Sequence, residues 1–116
     1  ALLSDVDTCA AVIEHVTGIS PRIYRFPGGG TSDLARHTQL LQDHGYRVVR
    51  WNAVCGDEEI AHADAAQLVA ESIRTAGQRK SVVLLLHDSA PHKATAEALP
   101  DIIRYFREQG YRFAAF

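Results

Sequence analysis

Apolar positions recur along this chain in two rhythms, one close to every third or fourth residue and one in short unbroken runs, and the two rhythms alternate. Val6, Ala10, Val12, Ile13 and Val16 approach a 3.6-residue period and predict a helix from Ser4 to Thr17. Ser4 or Asp5 is its candidate N-cap and Gly18 its stop. Ile23-Tyr24-Arg25-Phe26 predicts a short strand, ended by Pro27 and three glycines. A second helix, capped by Thr31 or Ser32, carries Leu34, Leu40 and Leu41 on one side and stops at Gly45. Tyr46 to Trp51 reads as the next strand and Asn52 to Glu59 as a polar loop. Leu68, Val69 and Ile73 are the inner face of a third helix, Asp64 to Ala76, stopped by Gly77. A fourth helix is expected from Thr95, as its cap, to Gln109, with Leu99, Ile102, Ile103 and Phe106 as its stripe. Pro100 falls in about its first turn, where a missing N–H costs least. Tyr111 to Phe116 reads as a last strand.

The run that organises the rest is Ser81-Val82-Val83-Leu84-Leu85-Leu86-His87-Asp88. Its apolar part is too short for a membrane span, and its Val/Leu content predicts a parallel strand buried on both faces. The helix-stopping glycines at positions 18, 45, 77 and 110 recur about every 30 residues, the length of a βα unit. Helices alternating with apolar strands predict an α/β fold with a parallel sheet and right-handed crossovers. His87 and Asp88 then stand at the C-terminal rim of the strands, where open α/β sheets and (β/α) barrels keep their sites.

Composition narrows the picture. The chain has 116 residues, enough for one domain but about half a usual (β/α)8 barrel. A net charge of −2 and the absence of a Lys/Arg block argue against a nucleic-acid partner. No run approaches the roughly 18 apolar residues of a membrane span. The chain opens on Ala1 and contains no methionine, so it is expected to come from a longer precursor. Cys9 and Cys55 lack CxxC spacing; they are either a disulfide or, as expected here, two free, partly buried thiols.

Three predicted strands deliver polar groups to one rim: Arg25 with Pro27 and Gly28, Trp51 leading to Asp57, and His87. Arg25 is either a surface cation or a guanidinium aimed at a carboxylate or substrate. The glycines are either a flexible turn or a row of N–H groups that cradles an anion; no Lys-Ser/Thr pair follows them, and GxGxxG does not occur. Trp51 is either a core aromatic or a substrate platform. His87, at the end of a buried strand, is either a hydrogen-bonded strand terminus or a general acid or base working near neutrality. The remaining histidines show no ligand spacing, and His87 with His92 is a poor metal pair.

Together these residues resemble the polysaccharide deacetylases, carbohydrate esterase family 4. Arg25-Phe26-Pro27-Gly28-Gly29-Gly30, after Thr17-Gly18-Ile19-Ser20-Pro21, resembles the family's third motif in its RxPGG form. Gly45-Tyr46-Arg47-Val48-Val49-Arg50-Trp51-Asn52, ending in Gly56-Asp57, resembles the fourth. Leu84-Leu85-Leu86-His87-Asp88, with Thr95 to Pro100, resembles the fifth.

The resemblance implies the C-terminal part of a distorted (β/α) barrel that removes acetyl groups from N-acetylglucosamine polymers such as peptidoglycan or chitin, outside the cell or in its envelope. It implies His87 as the acid that protonates the leaving amine, Asp57 as its holder, Arg25 as orienter of the base, and the Gly28 N–H as an oxyanion donor. Leu85 would line the acetyl pocket, with Pro27 and Trp51 also at the substrate. It further implies a divalent metal, zinc above others. The TFDDG and HSxxH motifs that supply the base and metal ligands do not occur here, so both are expected from outside these residues. Glu58 stands where the family often has Trp after the aspartate. By itself the chain is expected to be inactive, and its open strand edges to pair with the rest of the domain or with a second copy. The rival readings are a carbohydrate-binding pseudoenzyme and a flavodoxin-like regulatory sheet.

Overall fold

A computed structural model describes residues 1–30 and 32–116. The chain divides into two compact units, Ala1–Arg50 and Trp51–Phe116. Each is an α/β unit with one two-stranded parallel ladder.

The first unit runs helix α1 (Leu2–Thr17), strand β1 (Ile23–Tyr24), a 3-10 turn (Pro27–Gly29), helix α2 (Leu34–Asp43) and strand β2 (Arg47–Val48). Gly18 ends α1 in the left-handed conformation, φ 73°, as its position predicted. The start of α1 differs from expectation: the N-cap is Ala1, without a side-chain cap, so neither Ser4 nor Asp5 plays that part. Asp33, not Ser32, stands at the N-cap of α2; Thr31 lies outside the described residues. β1 and β2 pair Ile23 with Arg47 and Tyr24 with Val48. Val6, Phe26, Leu41 and Tyr46 form the buried centre of this unit. The Tyr46 hydroxyl donates to Asp7 at 2.7 Å, so a buried phenol keeps its partner. Val12, Ile13 and Val16, expected on the inner face of α1, are exposed.

The second unit runs β3 (Ala53–Val54), helix α3 (Ala65–Ala76), β4 (Leu84–Leu85) and helix α4 (Lys93–Glu108). β3 lies inside the stretch read as a polar loop. Ala53 pairs with Leu84 and Val54 with Leu85, and Asn52 prolongs the ladder by donating to the Ser81 carbonyl and accepting from the Val83 N–H. On the opposite edge of β3, the Thr75 hydroxyl accepts from the Val54 N–H at 3.0 Å and donates to its carbonyl at 2.6 Å. A helix side chain thus satisfies that edge of β3, and the described residues form two two-stranded parallel ladders, one in each unit, where one continuous sheet is expected.

Asp64 caps α3 in a capping box with Gln67, at the predicted start. The buried face of α3 is Leu68, Ser72 and Ala76, spaced four apart, and the Ser72 hydroxyl is satisfied by the Leu68 carbonyl. Val69 and Ile73, expected beside Leu68, are half-buried. Ala76 joins Ala98, Ile102 and Phe106 of α4 in one core, with Val82, Leu84 and Leu86 packed on it. By alternation Leu85 falls on the other strand face. β4 is half-buried, not buried on both faces, because a single helix layer and a single neighbouring strand cover it in this unit.

Two further expectations at the C-terminus change. α4 starts at Lys93 with His92 as N-cap, so Thr95 is inside the first turn and Pro100 is the eighth helical residue. Residues 111–116 form no strand, since no described strand offers them a ladder. Tyr111 instead packs edge-on to Phe106 at 5.2 Å and its hydroxyl donates to the Arg79 carbonyl.

Candidate active site

Parallel pairing brings the C-terminal ends of β3 and β4 to the same rim. The Cys55 N–H reaches the Leu85 carbonyl at 3.2 Å, and the chain then turns through Gly56. This glycine has φ +85°, and a Cβ there would meet Glu71 and Ile60 side-chain carbons at 2.9 Å. Only glycine fits that turn, and it delivers the next residue, Asp57, against His87.

The contact is two-handed. Asp57 Oδ1 lies 2.9 Å from His87 Nδ1, and Oδ2 accepts from the His87 backbone N–H at 2.8 Å. Oδ2 also accepts from the Thr95 hydroxyl at 2.9 Å. The Asp57 side chain is 4% exposed and that of His87 26%. Burial alone would push the Asp57 carboxyl up. Hydrogen bonds from the His87 ring, the His87 amide, Thr95 and the Cys55 thiol outweigh it and hold the group at about 2. The ionised carboxylate can only accept, so Nδ1 carries a proton and Nε2 is the atom that can exchange one. Nε2 is 3.5 Å from Glu58 Oε1. Burial, first of all, pushes the neighbouring Cys55 thiol up to about 12.

His92 stacks on His87, with ring centroids 5.3 Å apart and planes 30° apart, and its Nδ1 meets Ser89 Oγ at 2.7 Å. A hollow beside the His87 ring is lined by Leu86, Asp88, Ala90, Thr95, Ala96 and Leu99.

Asp57, His87 and His92 place one donor atom each within 4.8 Å of one another. To act as ligands in this arrangement they would first give up contacts they already make. Both Asp57 oxygens already accept hydrogen bonds from His87 and Thr95, and the proton on His87 Nδ1 that meets Oδ1 would have to leave. The set is a carboxylate-held histidine beside a second imidazole.

Of the expected residues, the structure brings Asp57 and His87 together and keeps Leu85 on the strand that leads to His87. Arg25, Pro27 and Gly28 belong to the first unit and are exposed there. Trp51 is half-buried and precedes β3, whereas Asp57 follows it. The sequence does not point to Thr95, Cys55 or His92 as site residues. Thr95 reads there as a helix cap at the start of the fifth-motif stretch, and its carboxylate partner is 38 positions away. Both cysteines are free thiols, Cys55 buried and Cys9 exposed.

No protein-family model matches the chain. A peptidoglycan-N-acetylglucosamine deacetylase of Bacillus cereus is 27% identical over 109 residues, covering 90% of this chain and 39% of the relative. A CE4 esterase of Streptococcus mutans superposes with a TM-score of 0.86 at 28% identity, over 97% of this chain and 51% of that one. The catalytic domain of a peptidoglycan N-acetylglucosamine deacetylase from Eubacterium rectale gives a TM-score of 0.82 at 27% identity, over 99% and 56%. The chain therefore spans about two fifths of the curated relative and about half of the solved structures it matches.

Proposed function

We propose that the chain is part of a polysaccharide deacetylase of carbohydrate esterase family 4, to whose members it is similar, and that it carries the proton-donor side of a site that hydrolyses N-acetyl groups on an N-acetylglucosamine polymer such as peptidoglycan. The single observation behind this reading is the grip of Asp57 on both the ring and the main chain of His87 at the strand rim.

Amide hydrolysis joins a water oxygen to the acetyl carbon and breaks the C–N bond. The departing amine must gain a proton, or it is too basic to leave. His87 Nε2 gives that proton, and Asp57 keeps Nδ1 protonated and balances the charge of the doubly protonated ring. Leu85 lines the space for the acetyl methyl. Arg25 orients the base, and the Gly28 N–H, beside Pro27, stabilises the developing oxyanion. Trp51 is left out of this assignment, because it stands before β3 and Asp57 after it. The general base and a divalent metal, zinc as first choice, are assigned to residues other than these, since Asp57 and His87 are engaged with each other. Within this reading both units are one stretch of a distorted (β/α) barrel, the remaining strands complete the ladders, and the substrate places the protein at the cell envelope. No described helix is long and apolar enough to cross a membrane.

The test is acetate release from N-acetylglucosamine oligomers and peptidoglycan by the natural protein that contains these residues. His87→Ala should lower kcat on the order of 10²- to 10⁴-fold. Polymer binding without acetate release would indicate the pseudoenzyme instead, and an unchanged kcat would remove His87 from the acid role.

A further inference from the structure

We propose that Thr95 is a positioning residue, whose hydroxyl fixes the Asp57 carboxylate and through it the tautomer of His87. The proposal extends the deacetylase reading, and its first measurement does not depend on that reading. Three helix hydroxyls of this chain turn back on their own helix, while that of Thr75 crosses to the Val54 backbone. Those of Thr8, Thr17 and Ser72 each donate to the carbonyl four residues earlier. The Thr95 hydroxyl instead crosses to Asp57 Oδ2 at 2.9 Å. It does so from a residue only 5% exposed, where water cannot readily stand in for the partner. An ionised carboxylate offers no proton, so the threonine must be the donor.

The consequence is directional. Oδ2 receives two donors, the Thr95 hydroxyl and the His87 amide, which leaves Oδ1 turned toward the ring at Nδ1. The threonine sits in the first turn of α4, with its own N–H on the His92 carbonyl at 3.1 Å. β-Branching restricts its side chain further. The plane of the carboxylate is thereby set from a long helix and not only from the loop after β4. Without that hydroxyl, the carboxylate keeps one anchor on Oδ2 and can rotate, so Nδ1 is no longer the only protonation site the ring favours.

Nitrogen-15 spectra of the His87 imidazole, recorded on the chain where the ring is neutral, read the tautomer directly. Thr95→Val is expected to convert a single Nδ1–H form into a mixture, and Thr95→Ser to keep the single form. In the natural protein, Thr95→Val should lower kcat on the order of tenfold to a hundredfold with KM little changed, and Thr95→Ser should restore it. A Thr95→Val protein that keeps the pure Nδ1–H form overturns the proposal, as does a Thr95→Ser protein that loses it. If the valine variant does not fold, the unsubstituted chain still decides. Its Thr95 hydroxyl proton should exchange slowly with water, and exchange at the rate of a free threonine overturns the assignment. The tautomer result judges Thr95 whether or not the protein releases acetate, so failure of the deacetylase reading is seen separately.

Discussion

Asp57 holds His87 at two points, the ring through Oδ1 at 2.9 Å and the main chain through Oδ2 at 2.8 Å. One side chain therefore fixes both where the histidine sits and which way its ring faces. Because the carboxylate can only accept, every group around it must donate: the ring and amide of His87, the Thr95 hydroxyl and the Cys55 thiol.

Asp57→Asn tests this arrangement with almost no change of shape. An amide has one accepting oxygen and one donating nitrogen, while His87 and Thr95 present three donors. The nitrogen must face one of them, and the ring answers by accepting at Nδ1 and moving its proton to Nε2. The expected outcome is a loss of kcat of roughly 10³- to 10⁴-fold with little change in KM. The double variant with His87→Ala should be hardly worse than either single one, because the two residues act as one unit. Steady-state kinetics of the three variants check both statements.

The same carboxylate sets the acid stability of the second unit. Its folded value of about 2 lies below the ordinary 3.8. A depressed acid contributes stability that is complete above the unfolded value and disappears as pH falls through the folded one. Unfolding free energy should therefore drop by about 2 kcal/mol between about pH 4 and pH 2 through this group. Urea titrations should show a shallower fall over that window in Asp57→Asn.

The thiols should divide by environment. Cys55 is fully buried, and its thiol is pushed up to about 12, so almost none of it is the reactive thiolate at neutral pH. Cys9 is exposed. An alkylating reagent should modify one cysteine in the folded chain and both in denaturant, with mass spectrometry locating the first label at Cys9.

The strand rim was legible in the sequence because its signals are local. The Val/Leu run ending in His87 marks β4, whereas the pairing of Asp57 with His87 is expected from the family resemblance alone. What escaped depends on partners distant in sequence. Ala53-Val54 is too short to announce a strand and becomes one only because Leu84-Leu85 pairs with it. α4 begins two residues before Thr95, since His92 caps it without a side-chain bond and leaves no capping signature to read. The sequence repeats Gly45-Tyr46-Arg47 as Gly110-Tyr111-Arg112, but the two copies divide in structure. Tyr46 is buried beside a paired strand, whereas Tyr111 sends its hydroxyl to Arg79 and leads into no ladder.

Thr75 carries the last prediction. A single hydroxyl takes both the N–H and the carbonyl of Val54, on the edge of β3 that faces away from β4. Thr75→Val keeps the volume and the branching but leaves two backbone groups without that partner. The loss should be about 1–3 kcal/mol in the unfolding free energy, and Thr75→Ser should recover most of it. Hydrogen exchange gives the local reading: the Val54 amide should exchange faster in the valine variant, while the Cys55 amide, bonded to Leu85 on the other edge, should stay protected up to the reduced global stability. Equal acceleration of both amides beyond that limit would mean that Thr75 supports the whole β3–β4 ladder and not one edge of it.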